Sequence, residues 1–271
     1  MTESVDAQAS LEAALKDEIV RMYQEVADNP KAIFHFFHGR EAAELFGYSR
    51  EWLDRAPAGA VASFAGVGNP HERSNLKPGE TVLDLGSGAG LDAIIASWGV
   101  GPSGRVIGVD LNPAMCLKTQ AHAAATGTPM ECQVGRMEDI PVPAASVDVV
   151  ISNGVINLSF RKRRVVEEIF RVLRPGGRIS ITDIVSAKQL SQSIVNDPKL
   201  WASLIGGALP EGEMFRLLEE SGFTRVRSAV VPRFRFRQES TQNSAEAYGV
   251  KAVMMTALKP LGDSERVSPA A

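Results

Sequence analysis

Residues 82–92 read VLDLGSGAGLD. A short apolar run enters a turn carrying Gly86, Gly88 and Gly90, and a helical stretch, LDAIIASW, follows at 91–98. Glycine lets the backbone turn sharply and approach a ligand closely, and a helix N-terminus offers unpaired N–H groups. The segment therefore predicts a strand, a ligand-cradling loop and a helix. Working outward, the same alternation recurs. TVLDL (81–85), RVIGVD (105–110), MECQV (130–134), VDVVIS (147–152), RISITDIV (178–185), RVRSAVV (225–231) and KAVMMTALK (251–259) read as strands. Between them, PAMCLKTQAHAAA (113–125), RRVVEEIFRVL (163–173) and EGEMFRLLEESGF (211–223) read as helices. Apolar strands alternating with helices predict an α/β fold whose mostly parallel sheet is covered on both faces.

Asp110 ends the second strand, 20 residues after Gly90. A carboxylate there can accept both hydroxyls of a ribose, so the loop and Asp110 together predict a nucleoside ligand. A dinucleotide fits less well. The glycine spacing is GxGxG, and Asp84, just before the loop, repels a pyrophosphate while suiting a cationic amino-acid moiety. No second mononucleotide-binding half is evident, which disfavours a nicotinamide oxidoreductase.

The rest of the chain bounds the class. Its 271 residues are 44% hydrophobic and 23% charged, with net charge −3 and pI about 5.9, so nothing global recommends a nucleic-acid partner. No apolar run is long enough to span a bilayer, and MTESVDAQAS lacks the basic, apolar start of a signal peptide, which predicts a cytoplasmic protein without a membrane partner. Cys116 and Cys132 have no metal-ligand spacing, and no metal is expected. Leu11, Leu15, Ile19, Met22 and Val26 lie at helical spacing, and a second helix is expected around 40–46. We divide the chain into a helical lid (1–60), a main domain (61–260) with an inserted segment at 186–209, and a disordered tail (261–271). RKRR (161–164) reads as a solvated helix start, and RFRFR (233–237) as a half-exposed strand.

The motifs resemble those of class I S-adenosylmethionine-dependent methyltransferases. DLGSGAG is similar to their first motif, GVDLN to their ribose-binding acidic position, RMEDIPVPAASVDVVIS to the adenine-contacting segment and fourth strand, and RVLRPGGRI to the helix–turn–strand that follows. The resemblance covers about residues 60–225. It implies a Rossmann-like seven-stranded sheet, S-adenosyl-L-methionine as cofactor and a small-molecule acceptor. It also implies that Gly86, Ser87 and Gly88 line the methionine moiety, with Asp84 beside its cationic end, and that Asp110 holds the ribose. Leu111 then packs on the adenine, Met137 and Glu138 meet its edge, and Asn153 lies below the sulfonium.

FAGVGNP, ISNGVINL and LWASLIGGAL further resemble the arsenite methyltransferase subfamily, in which each stretch carries one cysteine of a thiolate pocket. Here those positions are Val67, Gly154 and Leu204. Soft metalloids need soft ligands. The expectation is therefore an apolar, roomier substrate pocket and an organic acceptor, with arsenite methylation and a non-catalytic S-adenosylmethionine-binding role as alternatives. If the acceptor must lose a proton, His35, His38 and His71 are the candidate bases, with His38 and His71 preferred.

Overall fold

The chain forms one seven-stranded sheet in a computed structural model that describes residues 2–29, 32, 34 and 36–262. The strands are β1 (Thr81–Leu85), β2 (Arg105–Asp110), β3 (Met130–Val134), β4 (Val147–Asn153), β5 (Leu173–Val185), β6 (Thr224–Val230) and β7 (Lys251–Leu258). Their order is β3-β2-β1-β4-β5-β7-β6. The first five pair in parallel, and β7 runs antiparallel between β5 and β6. The seven strands expected within the alternating pattern form, in the Rossmann-like, mostly parallel arrangement.

Twelve α-helices accompany them among the described residues. Before the sheet come α1 (Thr2–Asp28), α2 (Gly39–Leu45), α3 (Arg50–Arg55), α4 (Ala58–Ala62) and α5 (His71–Ser74). Within it are α6 (Leu91–Val100), α7 (Pro113–Ala125), α8 (Lys162–Val172), α9 (Gln192–Val195), α10 (Pro198–Ala202), α11 (Glu211–Glu220) and α12 (Glu239–Ala247). None is long and apolar enough to cross a membrane.

The central strands β1, β2 and β4 are mostly apolar because both faces are covered. Leu83, Ile107 and Val150 join one core with Val165 and Ile169 of α8 and Leu218 of α11. Their neighbours Val82, Val106 and Val149 join another with Ala93, Ala96 and Val100 of α6. Successive side chains of a strand point to opposite faces, so a strand covered on both sides does not alternate apolar with polar residues.

The structure changes two local readings. Residues 233–237 do not form a strand. Arg233 takes a left-handed φ of 67°, yet the alternation survives as burial, with Phe236 buried and Phe234 half-buried against Phe46. Nor is RKRR wholly solvated. The Lys162 ammonium is buried, donates to the carbonyls of Asn157 (3.1 Å) and Ser159 (2.7 Å), and lies over the Trp201 ring. Burial pulls its pKa down to about 8. Asn157 links it to Asp183, whose carboxylate accepts the Asn157 N–H at 3.1 Å. A cation and an anion thus bind the backbone on either side of one residue, Asn157, which no local pattern reveals. His35 and most of the 261–271 tail lie outside the described residues.

Candidate active site

In an open parallel sheet, ligands bind outside the carboxyl ends of the strands, where the strand order reverses. Here that point is the β1–β4 junction, and a cavity of about 560 Å³ occupies it. Helix α1 forms its roof. Leu15, Ile19 and Met22 pack on Trp201 and Ala202 of α10, and Gln24 accepts a hydrogen bond from Asn112 at 2.9 Å, so the helix is fastened on two sides of the opening.

The glycine loop forms the floor. Gly86 and Ser87 both donate backbone N–H groups to Val109 O (2.7 and 3.1 Å), which ties β1 to β2. Gly86 has a φ of 78°, and a Cβ there would stand 2.4 Å from the Val155 side chain. At Gly88 an added Cβ meets nothing within 4 Å, so this backbone borders open space. Asp110 accepts the Gly88 N–H on Oδ2 (2.8 Å) and the Asn112 N–H on Oδ1 (2.9 Å). Each oxygen retains a second lone pair. The carboxylate thereby fixes the loop and still has acceptor capacity for a vicinal diol. Burial pushes its pKa upward.

Leu111, Met137 and Glu138 line the same cavity farther from the loop. Leu111 is exposed toward the opening, while Glu138 is held by the Ser159 hydroxyl at 2.6 Å. These groups form an apolar slot with a carboxylate at its side, suited to a flat base bearing an amino group. Gly loop, diol acceptor and slot fit S-adenosylmethionine in that order.

Asn153 lies at the cavity floor, but its amide is committed to the protein. Its Oδ1 accepts from Val67 N (2.8 Å), Gly68 N (3.3 Å) and Thr182 Oγ1 (2.7 Å). Its Nδ2 donates to Gly68 O (2.9 Å) and Asp92 Oδ2 (3.1 Å). The side chain clasps the 66–69 loop to the tip of β4, and Gly66 is glycine because a Cβ would strike that amide at 2.3 Å.

Asp84 is buried behind the loop and does not line the cavity; burial, together with Asp92 and Asp110, drives its pKa well up. Asp92 lines it instead. Asp92 accepts hydrogen bonds from Tyr48 (2.5 Å) and Asn153 and contacts His71 Nε2 at 3.0 Å. His71 is therefore one side chain removed from the cavity, and His38 packs edge-on to Phe34 outside it. Sequence reading passed over Asp92 and Tyr48. Asp92 stood in the quoted motif, but only folding sets it beside the ligand space.

Val67, Gly154 and Leu204 converge. A Cβ at Gly154 would stand 3.2 Å from Val67 Cγ1 and 3.3 Å from Leu204 Cδ1. Gly154 borders the main cavity, whereas Val67 and Leu204 line an adjoining void of about 10 Å³. The expected roomier pocket is not present at this point, because the two branched side chains fill it.

Comparison with known proteins agrees with this geometry. An arsenite methyltransferase of Halobacterium salinarum is 40% identical over 69% of this chain and 48% of its own length. One from Aquipseudomonas alcaligenes is 36% identical over 56% of this chain and 46% of its own. The chain thus spans about half the length of the curated relatives it matches. The crystal structure of an arsenic(III) S-adenosylmethionine methyltransferase from Chlamydomonas reinhardtii superposes with a TM-score of 0.67 at 31% identity, covering 79% of this chain and 73% of that one. Residues 76–248 match the family described as "Methyltransferase domain". Sheet order, loop, cavity and relatives lead to one assignment: the chain belongs to the class I S-adenosylmethionine-dependent methyltransferase family and is similar to its arsenite methyltransferases.

Proposed function

We propose that this protein transfers a methyl group from S-adenosylmethionine to a small organic molecule. The carrying observation is the convergence of Val67, Gly154 and Leu204, three positions without a thiol, beside the cavity. Trivalent arsenic needs soft donors, and methyl, methylene and hydrogen are not donors at all. Cys116 and Cys132 do not substitute for them. Both are buried, and Cys132 contacts Ser87 beneath the loop rather than the acceptor side.

S-adenosylmethionine supplies the methyl carbon and leaves as neutral S-adenosylhomocysteine. The chain's part is alignment. Gly86, Ser87 and Gly88 hold the amino-acid end, Asp110 the ribose, and Leu111, Met137 and Glu138 the base. Asn153 fixes the floor by clasping the 66–69 loop. Aligning donor and acceptor removes much of the barrier to an in-line displacement. Should the acceptor carry a proton, Asp92 is a carboxylate at the cavity beside Asn153, and His71, in contact with it at 3.0 Å, positions it. His38 stands farther off.

The arsenite reading is favoured by the names of the relatives and is the second one we retain. Calorimetry with S-adenosylmethionine, S-adenosylhomocysteine and NAD, followed by product assays with arsenite plus thiol and with organic acceptors, separates the readings. Binding of NAD in place of the sulfonium nucleotide removes the proposal. Arsenite turnover matching that of a cysteine-bearing relative exchanges it for the second reading. Cofactor binding with no transfer to any acceptor leaves a binding protein.

A further inference from the structure

Two aromatic stretches far apart in sequence, Phe36 with Phe37 and RFRFR at 233–237, meet at one place. Phe36 and Phe37 from the first, Phe234 and Phe236 from the second, and Phe46 of α2 surround the void whose floor is Val67 and Leu204. Its wall toward the main cavity is Tyr23 of α1 with Ala65 and Gly66, residues that border both spaces.

Three features distinguish this cluster from ordinary core. It abuts the methyl-transfer cavity directly, beside the tip of β4. The Tyr23 side chain, half-buried at the boundary, lines both spaces and has no hydrogen-bond partner among the described residues, which leaves its hydroxyl available to a ligand. Leu204 in the floor holds a left-handed φ of 67°, a conformation that branched side chains avoid and that tends to persist at ligand sites. Burial and the nearby Asp183 and Asp110 keep the phenol protonated, so at neutral pH it is a donor, not a base.

Resting on the methyl-transfer reading, we infer that the acceptor is aromatic: its ring is received among these phenylalanines, and Tyr23 donates a hydrogen bond to a polar atom that projects into the cofactor cavity. The rings already stand in the geometries that aromatic pairs prefer. Phe234 meets Phe236 edge-on at 5.2 Å and lies parallel to Phe46 at 6.1 Å. A planar guest replaces one ring–ring contact by another. The phenylalanines fill the space to about 10 Å³, and those at 36, 37, 234 and 236 sit on irregular backbone, so a guest displaces loop side chains rather than strands. The guanidinium groups of Arg235 and Arg237 both lie over the Phe37 ring, at 5.2 and 5.7 Å, so an aromatic surface at this point is already met by cation–π contacts.

The test uses the full chain saturated with S-adenosylhomocysteine and two probes of one carbon skeleton, 2-naphthol and its saturated analogue decahydro-2-naphthol. Titration is followed by ligand-observed NMR. We expect 2-naphthol to bind at least tenfold more tightly. Tyr23→Phe should weaken it about fivefold. Phe234→Leu should abolish the preference for the aromatic probe while leaving S-adenosylhomocysteine affinity unchanged; Phe37→Leu, on the opposite wall, serves if that variant does not fold. Equal binding of the two probes, no binding of either, or a preference that survives these leucine variants overturns the inference alone. Failure of S-adenosylhomocysteine to bind overturns the methyl-transfer reading and this inference together.

Discussion

Replacing Asp110 tests the nucleoside site most directly. In the wild-type chain its two oxygens each accept one backbone N–H, from Gly88 and Asn112, which leaves one further lone pair on each in a carboxylate that lines the cavity. Under the proposed function those two lone pairs meet the ribose hydroxyls. A hydrogen bond to a charged group contributes about 1.5–3 kcal/mol, a factor of roughly 10–150 in affinity. Asp110→Asn retains one acceptor oxygen and should lose about one such bond, so the dissociation constant of S-adenosylhomocysteine should rise about tenfold. Asp110→Ala removes both and should raise it about a hundredfold or more. It also leaves the Gly88 N–H without its acceptor, at a cost to folding of about 1–3 kcal/mol. Calorimetry gives the affinities, and urea unfolding separates the loss of binding from the loss of stability. If Asp110→Asn binds S-adenosylhomocysteine within twofold of wild type, Asp110 anchors the loop alone and the ribose assignment is wrong.

Two further outcomes follow from the buried groups and from the pocket positions. Burial raises the Asp183 carboxyl from 3.8 to about 6, so between these values the folded state holds a proton that the unfolded state has shed. Stability due to this group is therefore greatest below pH 3.8 and is lost as pH rises through 6, by about 3 kcal/mol for a shift of about two units. Urea unfolding of wild type and Asp183→Asn at pH 4.5 and 7.5 should show a steeper loss with rising pH in the wild type; parallel profiles would refute the assignment. Introducing cysteine at 67, 154 and 204 together should raise arsenite-dependent S-adenosylhomocysteine formation at least tenfold, because the three side chains converge on one point. No gain in a folded, cofactor-binding triple variant would show that missing thiols are not what separates this chain from its arsenite-methylating relatives.

Much of this architecture was written locally. The mostly apolar run TVLDL, short and bounded by glycines, reads as a strand covered twice, and three glycines before LDAIIASW read as a turn into a helix, because backbone sterics act between near neighbours. The same locality made Asp110 legible, as the residue ending the next strand. What required the tertiary structure was every property that depends on residues distant in the chain. Lys162 looked like one member of a solvated basic run until Asn157, Ser159 and Trp201 enclosed it. RFRFR looked like a strand because it alternates, yet among the described residues no strand pairs with it, and its phenylalanines instead meet Phe36 and Phe37 beside Tyr23. Asp84 and Asp92 frame the same loop in sequence, and only the turn of the backbone decided that Asp92 faces the cavity while Asp84 lies behind it. Val67, Gly154 and Leu204 could be listed from motifs, but whether they leave room depended on how two branched side chains pack across a gap, and they close it. Periodicity encodes which face of an element is apolar. It carries no record of which distant side chain will be pressed against that face, and the chemistry of this site is made of such contacts.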